Sequence, residues 1–257
     1  MRDFRIGVVP CRLAAALLLS CSAIAQTSTP RPTPRDYHGV QTYVDGIYVT
    51  PVANAPFTAK VSIVSHERLA DGSEHVVKTS NSVARTNSGR IYNERRALVP
   101  ASYQLEPRLL SAHIFDPETR ISVFLDPSTR LARQQELPRT ANAPATTHRV
   151  PTVPGTIETD LGAQTLDGVV LQGLRKSRTL GADVSGTGKQ IVIVDEYWYS
   201  TELSLDMIIR HEDPRTGEQM VAVTEVKRGE PDASLFQIPS KYKVVDETPP
   251  PAEPRAQ

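Results

Sequence analysis

Phe57-Thr58-Ala59-Lys60-Val61-Ser62-Ile63-Val64-Ser65-His66-Glu67-Arg68-Leu69, with Asp71-Gly72 just after it, is the stretch from which the fold can be read. Phe57, Ala59, Val61, Ile63 and Leu69 share one face, and Lys60, Ser62, His66 and Arg68 the other. A period of two is that of a strand with one buried face. Asp71-Gly72 is the strongest short hairpin signal, because both residues tolerate positive φ. Ser73 to Thr86 is then the return strand, and Arg90 to Val99 follows after Asn87-Ser88-Gly89. If Asp71-Gly72 centres the turn, residues 66 and 77 are opposite each other. His66 and His75 then become diagonal neighbours on one face. Such a pair could hold a metal with a third ligand; a polar outer face is the plainer reading.

Working outward, Phe115-Asp116-Pro117-Glu118-Thr119-Arg120 is echoed by Leu125-Asp126-Pro127-Ser128-Thr129-Arg130, and Asp213-Pro214-Arg215-Thr216-Gly217 is a third copy of the turn. Asp caps such a type I turn with its carboxylate, and Pro presets φ at the next position. Calcium is the alternative for these aspartates, but they do not cluster at the spacing of a Ca²⁺ loop. Leu98 to Leu110 is expected to include one short helix or irregular turn.

The second block has the longest strands. Asp167-Gly168 precedes Val169 to Arg178. Gln190 to Ser200 is strongly apolar from Ile191 to Val194, which predicts a central strand. Leu203, Leu205, Met207 and Ile209 alternate, as do Met220, Ala222, Thr224 and Val226. Ten or so strands with tight turns predict a mainly β fold: a large curled antiparallel sheet, an open half-barrel, with one or two short helices.

No motif specifies a reaction. The histidines His38, His66, His75, His113, His148 and His211 show no HExxH or other close metal spacing, so no metal site is assigned. Ser185-Gly186-Thr187-Gly188 lacks the nucleophile elbow, and no helix follows it to bind phosphate. Asp195 and Glu196 point to opposite strand faces and cannot share a substrate. Tyr197-Trp198-Tyr199 is the richest aromatic cluster in a chain that is 5% aromatic. It is read either as a wall of an apolar cavity or as ordinary sheet packing. The candidate wall is Ile193, Tyr197, Tyr199, Leu205, Met207 and Ile209. No catalytic residue and no cofactor is assigned.

The ends of the chain speak of location. Arg2, Arg5 and Arg12 precede a short apolar run, Leu13 to Leu19, and Ala23-Ile24-Ala25 is an A-x-A cleavage site. This reads as a secretory signal over 1–25. Leu18-Leu19-Ser20-Cys21 also resembles a lipobox. The two endings, free secretion after Ala25 or a lipoprotein anchored through Cys21, both stay open. Membrane contact follows only from the second, through acyl chains worth about 0.8 kcal/mol per buried CH₂. Cys11 and Cys21 both lie in the leader, so cleavage at Ala25 leaves no disulfide, thiol nucleophile or thiolate site. The leader takes three of the 29 basic and one of the 29 acidic residues, leaving a net charge of about −2. No basic stripe with interleaved aromatics appears, which argues against a nucleic-acid partner. Residues 26–56 read as a Pro/Thr-rich spacer, 57–247 as a single β-rich domain with a loop at 138–154, and 248–257 as a disordered tail.

Glu196-Tyr197-Trp198-Tyr199-Ser200-Thr201-Glu202-Leu203, the 213–218 turn and the ending Arg228 to Tyr242 carry a resemblance. They resemble exported, uncharacterised proteins of acidobacterial type. The pattern of strand, short Asp-capped turn, Leu235-Phe236-Gln237-Ile238-Pro239 and final short strand is also similar to the lipoprotein-carrier superfamily of LolA, LolB and RseB-like domains. That resemblance implies a curled sheet around a hydrophobic cavity that binds acyl chains or acts as a sensor. The residues themselves say that Asp232 caps a turn, Phe236 and Ile238 plug the core and Pro239 ends it.

The reading is therefore an exported, periplasmic or secreted, non-catalytic β-domain that binds a lipid or other apolar ligand. The alternative is a cell-envelope protein-interaction or structural module without a ligand. The third is a hydrolase whose site assembles from distant residues.

Overall fold

The computed structural model describes residues 47, 49–138 and 154–250. The leader with Cys21, most of the spacer, nearly all of the 138–154 loop and residues 251–257 lie outside them.

The strands are β1 (Phe57–Arg68), β2 (Glu74–Arg85), β3 (Ile91–Arg96), β4 (Val99–Pro100), β5 (Leu109–Asp116), β6 (Ile121–Asp126), β7 (Leu131–Glu136), β8 (Thr156–Leu166), β9 (Val169–Leu180), β10 (Ile191–Ser200), β11 (Leu205–Asp213), β12 (Gly217–Arg228) and β13 (Lys243–Asp246). All belong to one sheet in the order β13-β7-β6-β5-β3-β2-β1-β12-β11-β10-β9-β8, with β4 paired to β2. The fold is mainly β, a single large curled sheet open at both edges. Two meanders, β1 to β7 and β8 to β12, meet where β1 pairs with β12. The last pair, β13 on β7, is parallel, so the sheet is not antiparallel throughout.

The first hairpin forms where predicted but in another register. Leu69 N–H donates to Ser73 O and Gly72 N–H to Leu69 O, with Gly72 at φ +83. This is a three-residue loop closed by a left-handed glycine, not a two-residue turn. His66 therefore pairs with Val76, and Glu67 with His75. A shift of one residue moves side chains to the other face, so His66 and His75 do not share one. His66 bonds Glu74 instead, and His75 lies 3.8 Å from Glu67. Leu69, expected on the buried face, is 42% exposed at the turn.

Leu98 to Leu110 contains β4 and irregular turns but no helix. Pro100 and Pro107 each remove an amide donor that a helix would need. Among the described residues the short helix that forms is a 3-10 turn, Ala233–Phe236, with the Asp232 carboxylate accepting from Ser234 N–H at 2.8 Å.

Bulges bend the sheet. Glu225 and Val226 together oppose Ala59, with Glu225 at φ 51, and Met207 is an extra residue on β11 opposite the Trp198–Tyr199 step. Such insertions raise the local twist. Two clusters form on opposite faces. Val83 belongs to the first and its neighbour Ala84 to the second. The first, hereafter the core face, gathers Phe57, Val61, Ile63, Ile91, Val221 and Val223. Ile47 and Val49, at the end of the stretch read as spacer, are buried in it. The second lies over β3, β5, β6 and β7 and is covered by Phe236, with Leu235, Ile238 and Tyr242 packed beside it.

The three Asp-Pro turns are capped as predicted. Asp126 Oδ1 accepts from Ser128 N–H at 2.8 Å and from Ser128 Oγ–H at 2.6 Å; Asp116 and Asp213 accept from Glu118 and Arg215 amides. The Ser128 hydroxyl, first among the causes, holds the Asp126 carboxyl down to about 2. A lowered folded pKa gives stability that is present above the ordinary carboxylate value and lost as pH falls through the folded one. Asp126→Ala is expected to flatten part of the fall in melting temperature between pH 3.8 and about 2. An unchanged acid limb in thermal melts across that window would contradict this.

Candidate functional site

The candidate wall lies on β10 and β11. Tyr197 is directly opposite Ile209 on one side and Leu174 on the other. Ile193, Leu205, Met207 and Ile209 are buried in the core face, and Tyr197 packs half-buried against them. The Met207 bulge changes the expected grouping. Tyr199 comes opposite Asp206, and Ser200, not Tyr199, faces Leu205. Tyr199 instead interacts electrostatically with Arg85. A cavity of about 460 Å³ lies elsewhere, between the β1–β2 and β11–β12 hairpins, lined by His66, Arg68, Glu74, Glu212 and Glu218 among others. The charged side chains in its lining do not suit an apolar ligand.

The core face is banded. Ile63, Val221, Ile209, Tyr197 and Leu174 are paired strand to strand and make one apolar row. The next row, two residues along each strand, is Ser65, Gln219, His211, Asp195, Lys176 and Glu158. Its members are polar on six successive strands. Ser65 and Gln219 are fully buried, and Gln219 Nε2 donates to Ser65 Oγ at 3.0 Å. His211 Nδ1 lies 2.6 Å from Asp195 Oδ1, and Lys176 Nζ 3.1 Å from Glu158 Oε1. Burial, with Asp195 and Asp206 nearby, pushes the Tyr197 phenol up to about 12, so it stays neutral. Glu196 faces away and pairs with Arg175, so Asp195 and Glu196 serve different partners, as their adjacency requires.

This row does not assemble a Ser–His–Asp triad. Ser65 and His211 are two strands apart with Gln219 between them, roughly 10 Å, whereas a nucleophile must lie within about 3 Å of its base. A Ser–His contact does occur on β5 and β6, His113 Nε2 to Ser122 Oγ at 2.9 Å. His113 also stacks on Phe124, and burial lowers its pKa. Among the described residues no carboxylate is hydrogen-bonded to His113. This pair was missed in the sequence, because only the β5–β6 register brings residues 113 and 122 together.

No protein-family model matches the chain, and no curated protein matches it either. Solved structures do match. One is an uncharacterized conserved protein from Thermus thermophilus, at 14% identity over 74% of this chain and 90% of that one, TM-score 0.39. A second is the Pseudomonas aeruginosa MucA/MucB complex, at 10% identity over 75% of this chain and 58% of that one, TM-score 0.38. A third is LprF from Mycobacterium bovis, at 10% identity over 74% and 91%, TM-score 0.31. The fold described above rests on strand order and register.

Arg85 closes one end of the core face. Its guanidinium is fully buried, 4.9 Å over the Phe57 ring, and donates to Ala55 O, Thr50 O and Leu203 O at 2.9, 2.9 and 2.7 Å. Burial lowers its pKa to about 10, which leaves it charged at neutral pH. It thereby fastens the segment before β1 to the β10–β11 turn. Nothing in the sequence distinguishes Arg85 from the other polar residues of its strand.

Trp198 lies over Gly173. A Cβ at Gly173 would stand 2.6 Å from Trp198 Cζ3 and 2.8 Å from Leu161 Cβ. Gly173→Ala is expected to tilt the indole, shift its emission and lower stability by about 1–3 kcal/mol. Trp198 is the only tryptophan, so the spectrum reports this site alone. An emission spectrum superimposable on that of the parent would contradict the packing.

Proposed function

We propose that this chain is an exported, non-catalytic β-domain that binds an apolar ligand, an acyl chain, on its core face. The wall is Ile193, Tyr197, Leu205, Met207 and Ile209, with Tyr199 at the Arg85 end. The observation that supports the reading is what closes this face. Among the described residues, its buried members outside strands are Ile47, Val49 and Leu203. An apolar sheet face covered by a short irregular segment opens at lower cost than one covered by a second packed layer. Ile47 and Val49 then occupy the ligand's place until a chain displaces them.

The test is displacement of a fluorescent acyl probe by methyl oleate on the mature chain. Binding by the parent protein is expected, and Ile47→Ser with Val49→Ser should tighten it about tenfold, because the competent state no longer has to expel its own plug. If neither protein binds a long acyl chain, the reading fails and the envelope protein-interaction module takes its place.

A further inference from the structure

Gln219 is fully buried in the polar row, and its amide nitrogen is used by Ser65. Its oxygen Oε1, also buried, accepts no hydrogen bond. A buried acceptor left unmet costs the hydration it has forgone, and native proteins retain such groups where something else meets them. Its neighbours in the row are Ser65 and His211, and His211 Nδ1 lies 2.6 Å from Asp195 Oδ1. What this oxygen lacks is a hydrogen-bond donor. One residue pair along the strands, the apolar row of Ile63, Val221, Ile209 and Tyr197 runs beside it, about 7 Å away.

We propose that Gln219 Oε1 reads the headgroup of the bound chain by accepting a hydrogen bond from its hydroxyl or N–H. The ligand class is a neutral amphiphile with a donor group next to its acyl chain, of the kind represented by a monoacylglycerol. A carboxylate headgroup is disfavoured, because it sets its own oxygens against Oε1. This inference rests on the acyl-chain reading of the core face and adds to it which chain is preferred.

The experiment compares monoolein with methyl oleate, which share a chain and differ in donor groups, by displacement of a fluorescent acyl probe. The parent protein is expected to bind monoolein about tenfold more tightly, the value of one hydrogen bond. Ser65→Ala with Gln219→Leu replaces both polar partners by apolar ones. That variant should melt no lower than the parent and bind the two esters equally. If it does not fold, Gln219→Met replaces it in the comparison. Equal affinity in the parent protein means that Oε1 is served by a buried water only, and overturns the inference while leaving the acyl-chain reading standing. A preference that survives in the folded variant also overturns it. Failure of both esters to bind the parent removes the acyl-chain reading itself and the inference with it.

Discussion

Gly217→Ala is expected to leave little folded protein. Gly217 opens β12 at φ +116, and a Cβ there would overlap the carbonyl oxygen of His66 and stand 3.2 Å from the Arg68 nitrogen. Both are backbone atoms of β1, so no side chain can swing aside. The approach is fixed by the adjoining bond from Arg68 N–H to Thr216 O at 2.9 Å. Strained φ costs about 1–3 kcal/mol, and overpacking against a backbone adds a similar amount or more. A loss above about 3 kcal/mol is a large part of the roughly 5–15 kcal/mol that holds a domain together. Gly162→Ala is the control. It has φ +75 but nothing within 4 Å of the added Cβ, so only the left-handed penalty of about 1–2 kcal/mol applies. Urea midpoints compare the two. Equal losses would show that the β1–β12 seam is not as close as described.

Arg85→Met should cost about 3–5 kcal/mol, although it removes a buried charge. Replacing a buried ion by an apolar side chain is often neutral when all its partners go with it. Here the partners are the carbonyls of Thr50, Ala55 and Leu203; Thr50 O keeps the Val52 amide as a donor, whereas those of Ala55 and Leu203 stay behind without the guanidinium. Each unmet buried carbonyl costs about 1–3 kcal/mol. Arg85→Lys should recover only part of the loss, since a single ammonium cannot copy a planar fork aimed at three oxygens. Release of the segment before β1 gives a second readout. The amide of Asn54, bonded to Asn87 O at 2.9 Å, should exchange with solvent faster in Arg85→Met. A variant as stable as the parent, with Asn54 equally protected, would mean that the guanidinium does not fasten this segment.

What was legible in the sequence was local. The period of two from Phe57 to Ile63, the Asp-Pro turns and the Asp232 cap each depend on neighbours a few residues away, and each is present in the structure. The first hairpin shows the limit. Asp71-Gly72 located the turn, but whether two or three residues form it decides the face of His75, and backbone propensity does not separate those cases. The seam between β1 and β12 joins residues 150 to 171 apart, and the parallel pairing of β13 with β7 joins residues 112 apart, beyond the reach of any local signal. The polar row is the clearest loss. Ser65, Gln219, His211, Asp195, Lys176 and Glu158 come from six strands, and each looks like an ordinary polar strand residue until the register lines them up. Of the candidate wall, Tyr197 and Ile209 were readable as strand-face residues, whereas the Met207 bulge that separates Tyr199 from Leu205 leaves no mark in the alternation.

Whether the core face holds an acyl chain is decided by native mass spectrometry of the mature protein from its own host. The expected result is an added mass that disappears on organic extraction and whose fragments contain an acyl chain. A bare polypeptide mass from envelope and soluble fractions alike, in a protein that also takes up no monoolein or methyl oleate, would contradict it.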